Sequence, residues 1–361
     1  MVARQTRAAG AAALPLGLAV VLCGNDLDLT PGGNERGVNP VPFMPLFRSA
    51  VALPLLFVMK PTASRAGDNL VPPGSVEMKQ SEVLKSAASQ TLQRALLEET
   101  GWIKVHAAEA LIGLGETEPA RLEFEAELRR TAPKEFEIGT WRVLAASASS
   151  AAERAAWQAR IAARLLEAGP DVATAIESLD KLGFRPSAGA VALARQMVAN
   201  EPEQETLLPW WALALAGEPD ALQRIVGKLV SQHPVARRRA GYVLRWLKPD
   251  DDGVRSALAR AALAERPGTD VEVYLLSAAL ALRVSATHER AWVGRLQEVL
   301  LSETAEPHMR FEASHALASA LGPGDLAQLA PLLQAAHGDV RIGSALVILH
   351  VLGPRRGAAQ P

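Results

Sequence analysis

Two stretches of this sequence bring chemically able side chains to helical spacing. His308, Glu312 and His315 stand at i, i+4 and i+7, so one face of a helix would present two imidazoles and a carboxylate. These are zinc-ligand types, although a helix face normally supplies two ligands and another element the rest. The plainer reading is two polar residues lining a groove, with Glu312 solvated. The second stretch is basic: Arg238, Tyr242 and Arg245 repeat the same spacing, beside Arg237, Arg239, Trp246 and Lys248. Guanidinium forks grip carboxylates and phosphates bidentately, so an Arg/Tyr stripe suits capture of a protein partner. Alternatively, Arg237 belongs to a structural turn and its neighbours are solvated or paired with nearby acids. Trp210-Trp211 is a further candidate. Exposed, the pair would stack on a sugar or anchor a peptide; otherwise one ring is core and the other half-buried. His106 with Glu109 reads as groove polarity more than as an acid/base pair.

Recognisable catalytic motifs are missing. The sequence has no phosphate-binding Gly-x-x-x-x-Gly-Lys-Ser/Thr, no Gly-x-Ser-x-Gly elbow and no His-Glu-x-x-His. A single cysteine, Cys23, excludes an intrachain disulfide and a Cys-based structural zinc site. With 38 basic against 39 acidic side chains, the chain lacks the charge signature of a nucleic-acid binder. No catalytic residue, cofactor or nucleic-acid partner is therefore expected.

The elements that must position these residues are repeats. Of 361 residues, 49% are hydrophobic and 21% charged, ample for one large or two ordinary domains. From about residue 81, Ala/Leu-rich helices end at a breaker: Gly115, Ser147, Gly183, Gly217, Lys248, Arg283, Gly322 and Gly353, spaced 31 to 39 residues apart. A period near 34 indicates stacked helical hairpins. Within each unit a charged first helix, as in Glu118 to Arg130, precedes an apolar second helix. Turns such as Glu201-Pro202, His233-Pro234 and Glu306-Pro307 start the next helix, where proline's missing N–H costs nothing. Eight helix pairs and no strand are predicted over 76–353.

Asp339-Val340-Arg341 and Pro307-His308-Met309-Arg310 precede Ala/Leu-rich helices, and Trp102 to Gly115 carries the same pattern. These strings resemble the second-helix signature of HEAT repeats, particularly the short, bacterial HEAT-like kind. The resemblance implies an all-α, right-handed α-solenoid of about eight stacked hairpins. Its second helices would line a concave face and its first helices would face solvent. Lys104 and Arg237 sit one residue later relative to the closing Leu, and Glu272 puts an acid where the base belongs.

The function expected is a non-catalytic scaffold that binds protein partners on the concave face. The runner-up is an enzyme or enzyme subunit, bilin-lyase-like or an α/α-toroid acting on carbohydrate; two tyrosines in the whole chain are few for a sugar cleft. The last helix, 339–352, is apolar nearly all round, whereas a terminal repeat needs a polar outer face. Self-association or partner docking is expected there, unless the tail 354–361 folds back.

Residues 1–75 differ in kind. Two short apolar runs, Ala11 to Leu22 and Ala50 to Met59, follow basic residues in the manner of secretory signals. Met44 is the expected true start, with Ser64-Arg65-Ala66 as a cleavage site ahead of Gly67, and the product exported to a periplasm. Membrane attachment would require lipidation of Cys23, whose preceding Leu22 departs from the lipoprotein pattern.

Overall fold

The computed structural model describes residues 73–130, 136–166, 172–200 and 207–353. The signal-like segment, with Met44 and Cys23, and the tail 354–361 lie outside the described residues. Among the described residues the protein is all-helical, without a strand. The helices fall into pairs: α1 (Pro73–Glu98) with α2 (Gly101–Leu114), α3 (Thr117–Arg129) with α4 (Glu137–Ala146), and α5 (Ala151–Arg164) with α6 (Val172–Lys181). There follow α7 (Ala188–Asn200) with α8 (Leu208–Leu215), α9 (Pro219–Gly227) with α10 (Pro234–Leu247), and α11 (Asp252–Ala264) with α12 (Asp270–Ala281). Then come α13 (Ala286–Leu301) with α14 (Pro307–Leu317), and a run of 3-10 turns over Pro323–Gln334 with α15 (Gly338–Leu352).

Local chemistry explains the boundaries. Ser150, Asp251 and Thr269 cap α5, α11 and α12 by accepting the backbone N–H three residues on. Pro209, Pro219, Pro234 and Pro307 occupy first turns. Five of the eight breakers that mark the period are left-handed caps: Gly115, Gly183 and Gly217 have positive φ, and so do Lys248 (φ 42°) and Arg283 (φ 51°).

Burial separates two layers. First helices bury a narrow stripe, as α3 buries Ala120 and Phe124, whereas α12 buries every residue from Val271 to Ala279. Basic residues early in the second helices tie the layers together. Arg237 donates to the Ser231 carbonyl at 2.8 Å and to Glu265 at 2.8 Å, and Arg341 donates to Ala335 and Ala336 carbonyls at 2.7 and 2.8 Å. Lys104 reaches Glu123 and Glu127 of α3. Glu272 reverses the sign: it accepts the Gly268 N–H at 2.7 Å and pairs with Arg295 of α13.

Each second helix touches the next, α2 to α4 to α6, then through α8 and α10 to α12, α14 and α15. The chain then meets itself, since α15 packs against both α1 and α2. The open groove expected between free ends is thus replaced by a closed ring. Its seam is marked by His106 with Asp339 at 2.8 Å and by the Arg341–Glu99 ion pair. The apolar circumference of α15, which suggested a covering chain, is covered by α1, α2, α14 and the 3-10 run.

Gly338 sets the closeness of the seam: a Cβ there would lie 2.6 Å from Ile103 Cγ2. Gly338→Leu should lower stability by about 1–3 kcal/mol through overpacking. Gly294→Ala, in open space on α13, should be neutral or stabilising by up to about 1 kcal/mol. Lys248→Gly should stabilise by up to about 1 kcal/mol by relieving the left-handed penalty. Thermal unfolding of the three variants checks all three signs.

Candidate functional site

Closing the ring gathers side chains that the sequence keeps far apart. A cavity of about 480 Å³ lies among α2, α6, α10, α12, α14 and α15. Trp102, His308 and the cap His337, all at helix starts, line it. A second cavity of about 300 Å³ is lined from the other helix ends, by Ile112, Ala146, Leu182 and Leu346. The starts of α2, α12, α14 and α15 therefore face the larger cavity, whereas α6 and α10 line it with their last turns. Both tyrosines of the chain and four of its seven histidines line that cavity.

Between the two cavities lies a belt of ion pairs. Lys181 sits 2.7 Å from Glu177 and 3.5 Å from Glu109. Arg142 lies 2.5 Å from Glu109 and 3.4 Å from Glu177. Across the ring Arg245 meets Glu312 at 3.2 Å. Lys181 and Arg245 stand over the Trp246 ring at 4.8 and 4.5 Å from its centroid, and Arg245 also covers Tyr242 at 5.4 Å. Phe311 separates two imidazoles, stacking with His106 at 4.6 Å and meeting His315 edge-on at 4.7 Å.

These contacts set the protonation states. Burial alone would raise the Glu177 carboxyl, but Lys181 and Arg142 outweigh it and hold it at about 2. Burial likewise opposes ionisation of Glu109, and Arg142 and Lys181 again win. Burial, aided by the charges of Arg245 and Lys181, pushes His315 well below the usual imidazole value, so it is neutral at neutral pH. Tyr242 is raised by burial and by Glu177. Asp180 is the one carboxyl raised among these, to about 6 by burial, but it accepts from Trp211 Nε1 at 2.7 Å and does not line the cavity. Glu109 and Glu177 are thus fixed anions rather than proton donors.

The sequence candidates divide accordingly. Tyr242 and Arg245 share the cavity-facing side of α10, but as half-buried and buried lining respectively rather than as an open stripe. Arg238 is buried against Asp270 at 2.6 Å and takes no part in the lining. Trp211 is core, and Trp210 is half-buried with Arg224 over its ring. Neither tryptophan is an exposed stacking platform, because α8 packs against α6, α7, α9 and α10 and Arg224 of α9 stands over Trp210. His308, Glu312 and His315 all line the cavity. Among the described residues no group of three or more His, Cys, Asp or Glu is placed to hold an ion. Arg245 takes the Glu312 carboxylate, and His315 packs on Phe311.

Glu177, Lys181, Arg142, Trp246, Tyr274 and Asp339 went unrecognised as site residues. A signal for the belt exists in register. Glu109, Arg142, Glu177, Trp211, Arg245, Ser277 and Glu312 recur at intervals of 32 to 35 residues, one on each second helix from α2 to α14. Compared with known proteins, the chain matches no family model, no curated protein and no solved structure.

Glu177→Gln should cost roughly 3–5 kcal/mol at neutral pH by leaving Lys181 and Arg142 under-paired. The depressed folded-state value means that the carboxylate's contribution is complete above about 4.5 and lost as pH falls toward about 2. The difference in Tm between wild type and variant should therefore shrink across that window in calorimetric scans.

Proposed function

We propose that this protein binds a small molecule at the centre of a ring of HEAT-like helix pairs, the pairs being stacked hairpins bent until the two ends meet. The observation that carries the reading is the lining of the central cavity. Its volume of about 480 Å³ lies within the range of roughly 300–1,000 Å³ usual for ligand sites. Aromatic walls (Trp102, Phe136, Tyr242, Trp246, Tyr274 and Phe311) surround a few convergent charged groups. Ordinary core filling would place apolar side chains there.

The partner-binding scaffold remains the second reading, moved from the inside to the outside. Val83 and Leu97 on α1 are 70% and 67% exposed, and Leu122 on the neighbouring α3 is 52% exposed. Exposed apolar side chains set among polar ones on these outer helices would suit a protein partner. Export, expected from residues 44–67, is part of either proposal. Among the described residues no helix is long and apolar enough to cross a membrane.

Native mass spectrometry of the full chain, purified without denaturation, tests the two readings. A bound small molecule, released on unfolding and lost in Trp102→Ala, is the expected result. An empty chain that captures a stoichiometric protein partner, with capture lost in Leu97→Glu, would replace the cavity reading with the scaffold.

A further inference from the structure

We infer that the ligand of the central cavity is a neutral, polyhydroxylated molecule, with the chemistry of a small sugar or cyclitol; the inference rests on the cavity being a binding site.

The first argument is charge matching. Lys181 and Arg142 lie between Glu177 and Glu109, and Arg245 is paired with Glu312. Asp339 holds His106 at 2.8 Å. An anionic ligand would have to draw Lys181 or Arg245 from a buried carboxylate and lie beside the anions so released. Breaking such a pair leaves an uncompensated buried charge. A cationic ligand meets the opposite obstacle. Lys181 and Arg245 already stand over the Trp246 and Tyr242 rings and Arg142 over Trp102, so an organic cation at those faces would meet like charge.

Hydroxyl groups face neither obstacle. A hydroxyl donates one hydrogen bond and accepts others, so it can bridge a carboxylate and an ammonium without altering the net charge. The belt offers both types side by side. The Glu109, Glu177 and Lys181 side chains keep 26%, 18% and 16% of their surface accessible although they lie inside the ring. Glu312 and Arg245 line the same cavity, are nine-tenths or more buried, and keep Oε1 and Nε without a hydrogen-bond partner. Hydrogen bonds to such charged groups are about twice as strong as neutral ones. The C–H faces of a polyol would rest on the remaining wall, where Trp102 and Phe136 meet edge to face at 6.0 Å and Phe311 stands beside His106.

Isothermal titration of the full chain, freed of any co-purified molecule, tests this with glucose, trehalose and myo-inositol against inorganic phosphate and tetramethylammonium. At least one neutral polyol should bind saturably, with a Kd that changes less than about twofold between low and high salt. Lys181→Met should weaken that binding about tenfold or more. Tyr242→Phe, which removes a hydroxyl hydrogen-bonded to the Glu177 carboxylate, should weaken it measurably while lowering Tm by less than Lys181→Met does. Tighter, salt-sensitive binding of phosphate or tetramethylammonium would overturn the ligand class and leave the cavity reading standing. Binding of a polyol that neither variant alters would overturn the assigned contacts and with them the inference. Absence of saturable binding by every probe would overturn both.

Discussion

The ion-pair belt at the ring centre is the arrangement on which the rest of this molecule depends. Three cations, Arg142, Lys181 and Arg245, share the ring interior with Glu109, Glu177 and Glu312. Removing such groups from water costs several kcal/mol per ion, so the belt persists only where each charge meets its partner closely. That condition demands closure and register together. Glu109 on α2 reaches Arg142 on α4, which reaches Glu177 on α6, because each inner helix presents the same position of its repeat to the axis. A slip of one residue in any pair would turn a charge by about 100° into the apolar layer.

The hairpin periphery supplies the rigidity that such matching needs. Left-handed caps stop α2, α6, α8, α10 and α12 at equivalent points, twice with a basic residue in place of glycine. Arg237 and Arg341 make the same use of the carbonyls five and six residues before them, so two distant repeats hold their turns by one device. Glu272 shows that the device is electrostatic in essence. With the sign reversed, it takes a backbone N–H and an arginine from α13 instead. The tie between layers survives while the residue type does not.

The two cavities differ in what each adds to a common wall. The larger adds His308, His337 and the rings of Trp102, Phe136, Tyr242 and Tyr274; the smaller adds Ile112, Leu182, Ile342 and Leu346. Their shared wall includes His106, Glu109, Lys181, Trp246, Phe311 and His315. Polar chemistry is therefore concentrated at one level of the ring, where neutral His315 and anionic Glu177 differ in protonation because of their neighbours.

Much of this was legible in the sequence, for local reasons. Helix starts and stops depend on proline, capping side chains and left-handed residues within a few positions, so the period and the eight pairs could be read from Gly115, Gly183, Gly217 and their equivalents. Shared faces were legible too: His308, Glu312 and His315 do line one surface, as do Tyr242 and Arg245. What each face looks onto was not. Arg245 reads as an exposed clamp until α14 brings Glu312 to it, and α15 reads as an uncovered end until α1 arrives. His106 and Asp339 stand 233 positions apart, and no local rule links them. Small rotations between successive pairs accumulate around the ring, and that sum decides whether a repeat chain stays open or closes. Local propensities set the hairpins; only the tertiary structure, by bringing the first helices onto the last, turned a polar groove into an enclosed site.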